Sequence, residues 1–153
     1  MLQKRIDLGS IPFGLAVAGE DIVKGSAVVV KVDNGVLKAF YPSTADEADS
    51  VKGLATFRIE AAEGADKDHD VIKAGKPVVI YTLVKDNMWA TTQFVGTPAK
   101  GDELVVGFEA ADKGKLRVKK ATGEEGRKSQ FVVYEVAAAG AGYSDPMVEV
   151  FVK

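Results

Sequence analysis

The densest grouping of reactive side chains in this sequence is Asp66-Lys67-Asp68-His69-Asp70, three carboxylates and the single histidine of the chain within five residues. Clustered carboxylates on a flexible loop suit a hard cation such as calcium, and Asp-x-Asp is how an EF-hand loop begins. The match ends there. No glycine falls at the sixth position of the loop, and the twelfth is Pro77, which has no carboxylate to offer. The segment reads as a solvated acidic loop, and no metal or cofactor is expected. His69 is also the one side chain whose ordinary pKa lies near neutrality, so a triad or a histidine general acid would have to use it. Ser26, Ser43, Ser50, Ser129 and Ser144 all lie in turn-like or loop contexts with no G-x-S-x-G elbow around them. Neither a G-x-x-x-x-G-K-[ST] loop nor a strand-linked G-x-G-x-x-G occurs, and Gly140-Ala141-Gly142 reads as a supple connector. A carboxylate pair is assembled by the fold, so 22 acidic residues leave a hydrolase open without pointing to one. No catalytic residue is named, and the chain is expected not to be an enzyme.

A second pattern concerns charge. Along a strand from Lys113 to Lys120, the period of two sets Lys113, Lys115, Arg117 and Lys119 on one face and turns Leu116 and Val118 to the other. Such a row discourages pairing with stray chains. Its functional alternative is docking to an acidic surface of a partner protein.

The elements that would hold these residues are extended. Three stretches share one design of glycine beside a basic residue, a β-branched run, a polar turn and a second extended run. They are Lys24 to Phe40 around Asp33-Asn34-Gly35, Gly75 to Thr91 around Lys85-Asp86-Asn87, and Lys100 to Val118 around Asp112-Lys113-Gly114. Each predicts a β-hairpin, because Gly and Asn accept positive φ at the turn and Val and Ile suit a pleated surface. Gly53 to Ile59 predicts another strand, with Leu54, Thr56 and Arg58 on one face and Ala55, Phe57 and Ile59 on the other. Phe131 to Val136 and Met147 to Val152 complete the set, the last with a buried face of Val148, Val150 and Val152. Ser43 or Thr44 is placed to cap one or two helical turns over Ala45 to Asp49. Gly123 to Lys128 predicts an exposed loop tip, and the aromatic residues are assigned to the core.

The predicted fold is therefore mainly β, a compact barrel or sandwich of hairpins with at most one or two short helices. Residues 1–20, interrupted by Pro12 and Gly14, are expected as an extended N-terminal arm or a first irregular strand, and residues 21–153 as a single β domain. An apolar share of 46% against 27% charged argues for a folded core. A net charge of −2 argues against general nucleic-acid binding. With no cysteine there is neither a disulfide frame nor a thiolate nucleophile. No run approaches the ~18 apolar residues of a membrane span, so a protein made in a cytoplasm, with no membrane partner, is expected.

Val51-Lys52-Gly53-Leu54-Ala55-Thr56, followed by Ile72 to Ile80 and preceded by the Lys-Gly-x-x-Val-x-Val unit of Lys24 to Val30, resembles small tailed-phage proteins that decorate or cement the capsid. The likeness covers roughly residues 15 to 82 and does not extend past Thr82. It implies a non-enzymatic virion subunit on the capsid surface, self-associating with a trimer favoured, that staples neighbouring copies of a major capsid protein. On that reading the N-terminal residues Leu2, Lys4, Arg5, Ile6, Ile11, Phe13, Leu15 and Val17 contact capsid or subunit, and Lys113, Lys115, Arg117 and Lys119 dock to acidic capsid surface. The competing readings are another virion component, such as a tail-tube or head-completion subunit, and a small carbohydrate-binding or hydrolytic β module.

Overall fold

A computed structural model describes residues 2–6, 12–56, 70–138 and 145–153. The chain is mainly β, and two sheets share the work. Five strands close into a barrel in the order β2 (Pro12–Ala18), β5 (Val36–Phe40), β4 (Ala27–Asp33), β6 (Gly53–Thr56) and β8 (Pro77–Thr82), with β8 returning to β2. A seven-stranded sheet runs β1 (Leu2–Ile6), β9 (Met88–Thr91), β14 (Met147–Val152), β13 (Phe131–Ala137), β11 (Glu103–Val106), β12 (Leu116–Val118) and β10 (Phe94–Val95). A short pair, β3 (Ile22–Val23) with β7 (Val71–Ile72), forms its own two-stranded ladder and packs Ile22 and Ile72 into the barrel core.

The alternation of side chains on β4 and β6 explains how two cores coexist. Val28 and Ala55 point into the barrel, where they meet Ala16, Ala18, Ala39, Val78 and Ile80. Their neighbours Ala27, Val29 and Leu54 point the other way, into a core shared with Trp89, Leu104, Phe131, Val148 and Val150 of the seven-stranded sheet. A five-stranded barrel has a narrow lumen, which is why four of its lining residues are alanine. Because both faces of β6 are covered, all four of its residues are buried. The sheet covers the barrel wall on one side only, so β14 alternates instead: Val148, Val150 and Val152 are buried against the shared core, as the sequence predicts, and Glu149 and Phe151 are half-buried.

Local signals account for most turns. Asn34 and Gly35, with φ of 51° and 76°, make the two-residue turn of the β4–β5 hairpin. Thr44 caps the one helix among the described residues, α1 (Ala45–Ala48), its Oγ1 accepting from the Glu47 N–H at 3.2 Å. The third predicted hairpin also forms, pairing Leu104 with Val118 and Val106 with Leu116. Its loop is longer than the predicted turn and is closed by the Gly107 N–H on the Lys115 carbonyl at 2.9 Å.

The second predicted hairpin does not form. β8 bonds to β2 and β6, while β9 bonds to β1 and β14. Between them the chain leaves the barrel and enters the sheet. That corner is tied to the last strand, with the Asp86 N–H donating to the Val152 carbonyl at 2.8 Å and the Val152 N–H to the Asn87 carbonyl at 2.9 Å. Two β-branched runs around a polar turn look the same in sequence whether the runs pair or part.

The described stretches of the first twenty residues join both sheets. β1 lies antiparallel to β9, with Leu2 opposite Thr91 and Lys4 opposite Trp89, and β2 is a stave of the barrel, with Phe13 opposite Ile80 and Val17 opposite Pro77.

Candidate functional site

The basic row predicted along Lys113 to Lys120 is interrupted. Only Leu116–Val118 forms strand, and Lys113 lies in the preceding loop with its Nζ 4.0 Å from Glu20. Arg117 is not a free cation. Its Nε meets Asp112 at 2.8 Å, and its two terminal nitrogens grip the Glu124 carboxylate in a two-point contact. This geometry uses the planar fork of the guanidinium fully. Glu124 takes a further hydrogen bond from the Lys120 N–H at 2.7 Å. Lys115 and Lys119 remain half-exposed on either side of the strand.

Glu124 sits in the segment predicted to be an exposed loop tip; Gly123, Glu125, Gly126 and Lys128 are exposed as predicted, and Glu124 and Arg127 turn inward. The Glu124 side chain is only 11% exposed, and Arg127, three residues on, is buried. Arg127 Nε donates to Asp49 at 2.7 Å, its Nη2 donates to the Val106 carbonyl at 2.8 Å, and its guanidinium lies 5.2 Å from the Phe108 ring centroid. The other Asp49 oxygen accepts from the Lys128 N–H at 2.9 Å. Asp49 follows α1 directly, so the network fastens the 119–128 loop to both the sheet and the helix.

These groups line a cleft of about 410 Å³ between Phe108, Asp112, Arg117, Lys120, Glu124 and Arg127. Its charges balance within the wall, Arg117, Lys120 and Arg127 against Asp112, Glu124 and the neighbouring Glu109. The Arg117 guanidinium and the Lys120 amide hold the Glu124 carboxyl well down, from 4.5 to about 2, and the same pairing raises Arg117. An acid held ionised in this way is not a proton donor near neutrality, and arginines already bonded on their own chain have few donors left for an anion. The arrangement is a brace.

A second acid is held down in the same way. Glu47 falls from 4.5 to about 2 because Lys31 bonds it at 2.6 Å and Ser43 adds its N–H and hydroxyl. That bond ties α1 to β4.

Of the N-terminal residues in the predicted contact set, Leu2 packs half-buried on the shared core, while Lys4, Arg5 and Ile6 lie on β1, one of the two end strands of the large sheet. Phe13, Leu15 and Val17 belong to β2 in the barrel wall. Ile11 lies outside the described residues. So do Asp66, Asp68 and His69, the connector Gly140-Ala141-Gly142, and Phe57, Arg58 and Ile59 of the predicted strand extension. Asp70 is exposed, and its carbonyl accepts from the Lys24 N–H at 2.7 Å.

Sequence reasoning did not single out the protruding tip of the β4–β5 hairpin. Val32 is 71% exposed and Val36 45%, on opposite faces of the ribbon beside the turn. A signal was present, since Val32 and Val36 flank Asp-Asn-Gly with no room for a covering element in the hairpin itself. No helix among the described residues is long and apolar enough to cross a membrane. No family model matches the chain, and neither a curated protein nor a solved structure matches it significantly.

Proposed function

We propose that the chain is a virion structural protein that binds the outer surface of a phage capsid and bridges neighbouring major capsid subunits. One coincidence of boundaries supports this most. The stretch resembling capsid decoration proteins, roughly residues 15 to 82, is the stretch that folds as the closed barrel from β2 to β8. The glycines of the resembling pattern have structural reasons to be there. Gly25 before β4 and Gly75 before β8 have φ of 94° and 80°, which side-chain-bearing residues rarely adopt, and a Cβ on Gly53 would lie 2.0 Å from the Tyr81 carbonyl oxygen.

On this reading the barrel is the unit that seats on the shell, and the large sheet, which the resemblance does not cover, presents margins to neighbours. β1 and β10 are its outermost strands. Pairing at a strand margin draws affinity from backbone hydrogen bonds and needs little side-chain specificity. Many copies on one shell multiply weak contacts. Lys115 and Lys119 supply charge toward an acidic surface, whereas Arg117 serves the brace.

The test compares complete particles with particles assembled without this protein. Decoration predicts that the latter release capsid contents at lower temperature and after milder osmotic shock, and that added protein restores resistance. Equal resistance of the two, or rings formed by the isolated protein, would reject it.

A further inference from the structure

The β4–β5 ribbon runs past the strands beside it. β6 accompanies β4 only at Ala27 and Val28, and β2 accompanies β5 only at Lys38 and Ala39. From Val30 to the turn, β4 has a strand on one side only among the described residues. The two-residue turn decides which backbone groups face the open side. Asp33 and Val36 close the hairpin as a hydrogen-bonded pair, Lys31 with Lys38 is the next such pair, and Val30 and Val32 therefore point their N–H and C=O groups outward. Two observed bonds agree with this phase. The Val28 carbonyl accepts from the Lys52 N–H at 2.7 Å, and the Ala39 carbonyl from the Gly19 N–H at 2.8 Å, both away from the ribbon.

Open margins are usually blunted by an exposed lysine, a proline or a bulge. This one carries Val32 at 71% exposure beside Lys31, whose side chain is 42% exposed. The charges nearest to it are engaged on their own chain, Lys31 with Glu47 and Lys38 with Asp33, each at 2.6 Å.

We infer that this margin pairs antiparallel with the same margin of a second copy, about a two-fold axis through Val32. That register sets Val32 against its counterpart, so each covers the other's exposed side chain. It also sets Lys31 opposite Asp33 of the partner subunit, and Asp33 opposite the partner's Lys31, in the close, non-hydrogen-bonded pairs of the ladder. Together with the bonds each chain already has, Glu47, Lys31, the partner's Asp33 and the partner's Lys38 form a row of alternating sign. Registers centred on Lys31 or on Asp33 bring like charges face to face and are disfavoured. Backbone phase and charge thus select one arrangement, an isologous contact. The contact is small, so it forms at high local concentration, as on a crowded surface. It does not depend on what that surface is.

Disulfide trapping of the full chain tests this directly, because the sequence contains no cysteine. Val32→Cys should form a reducible covalent dimer under mild oxidation at least about ten-fold faster than Val36→Cys, whose strand lies on the far side of its own hairpin from the axis. Val32→Lys should keep the wild-type melting temperature and abolish the concentration-dependent rise in mass seen by sedimentation. Lys31→Asp should also abolish that rise, at a lower melting temperature because its bond to Glu47 is lost, and the double change Lys31→Asp with Asp33→Lys should restore pairing. Val32→Cys reacting no faster than Val36→Cys, a mass that stays at one chain at every concentration, or a trimer would each overturn the inference.

Discussion

Tyr81 at the end of β8 stacks on Trp89 of β9, with ring centroids 4.9 Å apart and planes tilted by 37°. One ring belongs to the barrel and the other to the seven-stranded sheet, so this contact sits where the chain passes between them. Trp89 is 1% exposed and packs in the shared core.

Because the two sheets share that core, Trp89→Ala should destabilise the whole chain by about 3–5 kcal/mol, the usual cost of an aromatic cavity. Trp89→Phe should cost much less. The indole Nε1 is buried without a hydrogen-bond partner among the described residues, so the smaller ring removes an unsatisfied donor as well as some volume. Denaturant unfolding followed by far-ultraviolet circular dichroism checks both values and should show one transition. Separate transitions for barrel and sheet would contradict a common core.

Asp49→Ala should be costlier than its surface position after α1 suggests. It strips the Asp49 carboxylate from Arg127, whose side chain is 9% exposed, and leaves the buried guanidinium bonded to the Val106 carbonyl and 4.0 Å from Glu124. The expected loss is about 3 kcal/mol, and Arg127→Met in the Asp49→Ala background should recover part of it. A thermal-melt double-mutant cycle reads the coupling.

How much of this was legible depends on the range of the signal. The β4–β5 turn, the Thr44 cap and the valine face of β14 follow from neighbours in sequence, where steric rules and a period of two act locally. The brace does not. Asp49 and Arg127 are 78 residues apart, and nothing in either segment announces the other. Arg117 misled for a related reason: alternation correctly placed it opposite Leu116 and Val118, but its acids arrive from loops on both sides, which strand periodicity does not see. The parting of β8 and β9 was hidden because pairing partners are chosen by the tertiary fold, while the turn between them specifies only a change of direction.

Gly53→Ala should prevent the barrel from closing as it does here. The added methyl would meet the Tyr81 carbonyl oxygen at 2.0 Å, and backbone cannot swing aside as a flexible side chain can. Gly126→Ala is the control, since nothing lies within 4 Å of its missing Cβ. Soluble yield and melting temperature should fall for the first and stay near wild type for the second.

Stability should fall on acidification between pH 4.5 and about 2, and the carboxyls of Glu47 and Glu124 set that window. Both have folded-state values depressed below the unfolded 4.5, so the unfolded chain binds their protons first as pH drops. Their contribution is complete above pH 4.5 and disappears as pH approaches about 2. For Glu124, almost enclosed between Arg117 and the Lys120 amide, the linked contribution is on the order of 2–3 kcal/mol. Glu124→Gln should therefore lower the melting temperature at pH 7 and flatten its dependence on pH below 4.5, with Glu47→Gln acting in the same direction through the Lys31 and Ser43 bonds. Melting curves collected from pH 2 to pH 7 decide it: a Glu124→Gln profile parallel to wild type through that window would mean that the carboxylate is not held ionised by Arg117.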